Sequence, residues 1–171
     1  MYNEMDDAKK SRISDRDYNS KVILQMTDII SENREDRKAY VMRGNHYLDS
    51  GKLIEAISDL TRAIQLDPSD PMAFNNRGVA YRRSVDKDKA LEDFDQAITI
   101  KPDYREAYNN RGMVLADNYE YEAAIVQFTK AIEIDPNYWY AYNNRAMSRW
   151  ALGDRKGAES DYKVVSNYMA G

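Results

Sequence analysis

Three of the chain's four prolines, Pro68, Pro102 and Pro136, stand 34 residues apart. A fixed interval of this kind means that one supersecondary unit recurs, and recurrence narrows the fold to stacked copies of that unit. With proline set at position 32, the frames are 37–70, 71–104, 105–138 and 139–171, the last of which lacks the proline.

The frames agree column by column. Position 8 is small (Gly44, Gly78, Gly112, Ala146), as are position 20 (Ala56, Ala90, Ala124, Ala158) and position 27 (Ala63, Ala97, Ala131, Val165). Position 4 is aromatic (Tyr40, Phe74, Tyr108, Tyr142), and position 24 is large (Leu60, Phe94, Phe128, Tyr162). Small columns let helix backbones approach, and large ones fill the space left between them. Apolar residues such as Ala56, Ile57, Leu60, Ala63 and Ile64 follow helical spacing, broken mid-frame and at its end, so each frame predicts two short helices. Ser69, Asp103 and Asn137 are the expected N-caps, and Gly51 and Gly153 the expected left-handed residues of the inner turns. Val85 and Tyr119 stand in that turn position in the middle frames, which predicts turns of a different build.

These columns, with Tyr47 and Tyr81 at position 11 and the recurring proline, resemble the tetratricopeptide-repeat family from residue 37 to about residue 168. The departures are Leu115 and Arg149 at position 11, Ala146 at position 8, Val165 at position 27, and Arg in place of Leu at position 7. The resemblance implies an all-α fold, a right-handed superhelix of antiparallel hairpins. Upstream, Val22, Ile23, Met26, Ile29 and Ile30 look like the second helix of a decayed repeat, so 15–36 is expected to cap the first hairpin and 1–14 to be disordered.

In the family, the first helices of successive hairpins line a concave groove, with contacts at positions 2, 5, 6, 9, 12 and 13. Positions 5 and 6 hold Asn75 and Asn76, Asn109 and Asn110, Asn143 and Asn144. A carboxamide offers a donor and an acceptor together, which matches the main chain of an extended peptide. This is similar to the asparagine ladder of O-linked GlcNAc transferase, where the position-6 asparagines grip peptide backbone. Bonding to neighbouring helices, or solvent, is the alternative for these side chains. Further candidate contacts are Lys38, Asn45, Met72, Val79, Arg82, Arg83, Glu106, Met113, Tyr140, Met147 and Trp150, the last fitting either core or groove.

The carboxylate clamp of chaperone-binding relatives needs cations where this chain has Val41, Glu106 and Asn110, so that specificity is excluded although Asn45 and Asn76 match. Arg43, Arg77, Arg111 and Arg145 at position 7 face Asp59, Asp93, Gln127 and Asp161 at position 23, which predicts ion pairs within hairpins rather than an anion ladder.

Composition excludes much else. With no cysteine and one histidine, His46, the chain has no disulfide, no thiolate metal site and no nucleophile–histidine pair, and no phosphate-loop motif is present. Neither a catalytic site nor a cofactor or metal is expected. Charged residues make up 32% and mean hydropathy is -0.80, so a soluble, cytoplasmic protein without membrane insertion is expected. The net charge of -4 and the lack of a basic stripe weigh against nucleic acid, including the RNA reading of pentatricopeptide repeats. The expected function is a non-catalytic scaffold binding an extended segment of a partner protein. The alternative is a homo-oligomer formed through the last helix, where Tyr162, Val165 and Tyr168 have nothing downstream to bury them.

Overall fold

The computed structural model describes the backbone of residues 3–170 and the side chains of residues 17–170. Nine helices and no strand lie within that range. They are α1 Asn3–Glu32, α2 Arg37–Asp49, α3 Leu53–Leu66, α4 Pro71–Arg83, α5 Lys87–Ile100, α6 Arg105–Asp117, α7 Tyr121–Ile134, α8 Trp139–Ala151 and α9 Arg155–Ala170. From α2 onward each frame of the repeat holds two helices. The helices form two compact units, one ending at Ser84 and one starting at Val85, so the boundary falls in the turn between α4 and α5.

In the first unit, α1 lies against α2 through Met26, Ile30 and Ala39, with Val22, Ile29 and Tyr40 packed around them. The helix is longer than expected: it runs from Asn3 without a break, whereas residues 1–14 were expected to be disordered and the helix to start at 15. Residues 3–32 contain neither Gly nor Pro to interrupt it. Behind α2, a second cluster joins Leu48, Ala56 and Ala80 from three helices. In the second unit, Leu115, Ala124, Phe128, Ala131 and Ala141 form the core of α6, α7 and α8.

The small-against-large columns are in direct contact. A Cβ added at Gly112 would lie 2.6 Å from Phe128 Cε1, and one at Gly44 would lie 2.9 Å from Leu60 Cγ. The missing methyl lets Phe128 be fully buried, a gain of roughly 2–3 kcal/mol. In the last hairpin Ala146 supplies that methyl, and Tyr162, at the column of Phe128, is 38% exposed.

Two expectations about chain turns are corrected. Gly51 and Gly153 are left-handed, with φ of 75° and 82°, but Val85 and Tyr119 adopt the same conformation, φ 67° and 64°, so the middle turns are not built differently. The N-caps are one residue later than expected: Asp70, Tyr104 and Tyr138 hold that place, and Asp70 accepts from the Met72 N–H at 2.9 Å. Ser69 and Asn137 instead close the turn before it, their N–H groups donating to Asp67 and Asp135 at 3.0 and 2.9 Å. The carboxylate of Asp67 also accepts from the Ser69 hydroxyl, and that bond, aided by the backbone one, holds its pKa below the usual range.

The position-7 arginines are internal braces. Arg43 forms a two-pronged bond to Asp59 at 2.7 and 2.8 Å and donates to Thr27 of α1 at 3.0 Å. The bond to Asp59 raises the guanidinium pKa further, against the effect of burial. Arg145 repeats this with Asp161 (2.9 and 2.7 Å) and Thr129 (3.0 Å), and Arg77 donates to Thr61 at 3.1 Å. Each of these threonines stands sixteen residues before its arginine, a partner not anticipated from the sequence. Arg111 departs from the expectation, bonding Asp95 on α5 instead of an acceptor on α7. Arg149, at the usual tyrosine column, joins Arg145 on Asp161 at 2.8 Å.

Candidate functional site: the asparagine-bearing faces

In each unit two first helices lie side by side, α2 with α4 and α6 with α8, and asparagines bridge them. In the first unit Asn76 donates its amide N–H to Asn45 Oδ1 at 2.8 Å and accepts from Asn75 Nδ2 at 3.1 Å. In the second, Asn144 donates to Asn109 Oδ1 at 2.9 Å, and Asn109 Nδ2 points to the sulfur of Met113 at 3.5 Å. Asn143 reaches Met147 Sδ at 3.8 Å.

The asparagines therefore divide, and position 5 itself is split. Asn75 and Asn109, at position 5, are only 5% and 4% exposed, which corrects the expectation that they contact a ligand directly. Burial next to an apolar core requires their polar atoms to be bonded internally, and their partners are other asparagines and a thioether. Asn76, Asn110, Asn143 and Asn144 are half-buried and reach solvent. Asn144 is half-buried, with one of its amide hydrogens held by Asn109.

Around this row, Tyr140, Met147 and Trp150 are 53% to 58% exposed along α8, which answers the open question about Trp150: it is not core. Arg155 lies over its ring at 5.5 Å. Tyr140 is stacked on Trp139 with centroids 3.7 Å apart and has Tyr138 at 5.7 Å. Glu106 pairs with Arg105 at 2.9 Å, while Arg105 also bonds Asp135 and lies over Tyr138 at 4.8 Å. Burial, with a contribution from Glu106, pushes the Tyr138 phenol up to about 12.

Among the remaining expected contacts, Lys38 is exposed, Met72 is exposed on α4, and Val79, Arg82 and Met113 are half-buried. Arg83 is used internally: its Nη1 donates to Leu48 O at 2.6 Å and closes the carbonyl end of α2. His46 meets Asn19 at 2.8 Å and the edge of Tyr18, in keeping with a packing role. On α9, Tyr162 and Tyr168 are exposed and Val165 is half-buried, with Tyr168 reaching Trp139 at 5.9 Å.

Positions 1 and 31 hold a further pattern. Arg37 and Arg105 each pair with an aspartate thirty residues on, Asp67 and Asp135. Position 31 is Asp only in the two frames that begin with Arg.

Among the described residues, no group of His, Cys, Asp and Glu is arranged to hold a metal ion, and no helix is long and apolar enough to cross a membrane. The models of the TPR repeat and the tetratricopeptide repeat match residues 44–84, and 71–104 with 106–138, respectively. The chain belongs to the tetratricopeptide-repeat (TPR) family. Solved TPR-like structures agree with the fold. A crystal structure of MamA superposes with a TM-score of 0.77 at 24% identity, covering 86% of each chain. MamA from Desulfovibrio magneticus RS-1 gives 0.79 at 16% identity over 98% of this chain and 94% of its own. The first TPR domain of Spaghetti (RPAP3), bound to the HSP90 peptide SRMEEVD, gives 0.65 at 29% identity over 68% of this chain and 93% of its own. None of the curated proteins matches the chain.

Proposed function

We propose that this TPR protein is a non-catalytic scaffold that holds extended segments of a partner protein on its first-helix faces, with Asn76 on the main chain at the first unit and Asn110 and Asn144 at the second. The observation that carries the reading is the bond from Asn144 to buried Asn109. It fixes the carboxamide plane in advance, so little side-chain entropy is lost when a peptide meets the acceptor and the remaining donor of this half-buried group. The four frames serve as four repeats, with α1 as their N-terminal cover.

The RPAP3 domain is bound to SRMEEVD, a peptide with three acidic residues that ends in aspartate. Glu106 and the uncharged Asn110 of this chain do not suit such an end, so a different class of segment is implied. The test is to capture partners on the immobilised full chain, identify them by mass spectrometry, and repeat with Asn76, Asn110 and Asn144 changed to Ala. Loss of the same partners from the triple variant supports the reading. Unchanged capture places binding elsewhere on the surface.

A second reading rests on α9, where Tyr162 and Tyr168 present aromatic surface to solvent. Self-association through this face is tested by light scattering of the native chain against a variant with Tyr162, Val165 and Tyr168 made polar. A native protein that stays monomeric at high concentration removes this reading.

A further inference from the structure

The α6–α8 face is chemically lopsided. At the N-terminal end of α8, one guanidinium, Arg105, serves two carboxylates, Glu106 and Asp135, so this cluster carries one negative charge in excess; Arg105 lies over Tyr138, whose ring is 5.7 Å from that of exposed Tyr140. At the other end, Met147 and Trp150 expose a thioether and an indole, and Arg155 already supplies a cation to that ring. Asn144 lies between the two ends.

Resting on the peptide-binding reading above, we infer that this face selects a segment carrying a basic side chain and a large apolar side chain about three residues apart. The basic group belongs at Glu106, which shares the single Arg105 guanidinium with Asp135 and so keeps part of its negative charge. It does not belong at Trp150, where Arg155 would repel it. The apolar group belongs at Met147 and Trp150, because a thioether and an indole offer adaptable apolar contact. The spacing is taken along α8, from Tyr140 at the acidic end to Met147: seven residues are roughly 10 Å of rise, which an extended chain covers in about three residues. Asn144 then meets the main chain between the two anchors.

The experiment uses the full chain and three fluorescein-labelled ten-residue peptides read by anisotropy. One carries Lys and Leu three apart in a Ser background, the second has Glu for that Lys, and the third has Ser for that Leu. The Lys/Leu peptide is expected to bind about five- to tenfold more tightly than the Glu peptide at low salt, with the gap closing as salt rises. Glu106→Gln is expected to shrink the preference and Glu106→Lys to reverse it. Met147→Ala is expected to weaken the Lys/Leu peptide more than the Ser peptide, and Asn144→Ala to weaken all three alike. Equal binding of the Lys and Glu peptides, still sensitive to Asn144→Ala, overturns the charge selection and leaves the peptide-binding reading standing. Binding by none of the three, while asparagine-dependent capture of partners persists, overturns this inference alone. Thermal melts of each variant confirm that the chain stays folded.

Discussion

Arg111 takes its carboxylate from the helix before it: its Nε donates to Asp95 Oδ1 at 2.7 Å, whereas Arg43 and Arg145 take theirs from sixteen residues ahead. The frame of Arg111 has Gln127 where the others have Asp, and Asp95 stands where the others have Thr27, Thr61 and Thr129. One acid has crossed to the other side of the arginine, and the charge is balanced either way. The two arrangements differ in burial, since the Asp95 side chain is 55% exposed and that of Asp161 only 4%. Asp161→Asn leaves Arg145 and Arg149 facing an uncharged partner in a buried site and is expected to cost about 3 kcal/mol. Asp95→Asn is expected to cost under about 1 kcal/mol. The double change Asp95→Thr with Gln127→Asp restores the pattern of the other frames and is expected to recover the Asp95→Asn loss. Urea melts decide it, and equal losses for Asp95→Asn and Asp161→Asn would falsify the account.

Val85 and Tyr119 hold left-handed backbone with side chains 75% and 80% exposed, so neither gains burial in return. For residues with a Cβ, and above all a β-branched one, this conformation costs roughly 1–2 kcal/mol. Asparagine tolerates it better. Val85→Asn and Tyr119→Asn are each expected to raise stability by about 0.5–1 kcal/mol in denaturant melts. Gly51→Val, at the equivalent turn, is expected to lower it. A neutral result for both asparagine variants would mean that the strain is relieved elsewhere.

These two residues mark where sequence reading stops. The 34-residue columns revealed the helices because period and side-chain size are set by the geometry of stacking, and the Gly112–Phe128 contact is what those columns describe. They did not reveal that Val85 would copy the glycine turn, because helix packing on either side dictates the turn's shape and overrides the local preference. The asparagines were harder still. A polar side chain at position 5 reads as outward-facing, yet Asn109 is buried because Asn144, thirty-five residues away, supplies its partner. Neither residue type nor spacing carries that information. The Arg37–Asp67 and Arg105–Asp135 pairs, by contrast, were visible in columns 1 and 31.

Tyr138 gives the chain a titration at high pH. Its pKa in the folded state is about 12, chiefly from burial and secondarily from Glu106, and lies above the ordinary value of 10.0 that applies once the chain unfolds. The folded state therefore binds the phenolic proton more tightly. Its contribution is complete below pH 10 and declines as pH rises from 10 towards 12. Tyr138→Phe is expected to show a shallower loss of stability between pH 9 and 11.5 than the native chain, with other tyrosines contributing equally to both. Parallel slopes would remove Tyr138 as the cause.

On the proposed reading, buried Asn109 acts only through Asn144, and this separates it from its neighbours in a test. Asn109→Ala removes the acceptor of the Asn144 amide, which costs about 1 kcal/mol of stability and frees that carboxamide to rotate. Binding of the Lys/Leu peptide is expected to fall about as far as for Asn144→Ala, although the altered side chain is buried. The double variant should lose little more than either single one, since both remove the same rung. In nuclear magnetic resonance spectra, the Asn144 side-chain amide protons should exchange with solvent faster in Asn109→Ala than in the native chain. A stability loss with peptide affinity and Asn144 exchange both unchanged would assign Asn109 to the core alone, and additive losses in the double variant would show that the two asparagines act separately.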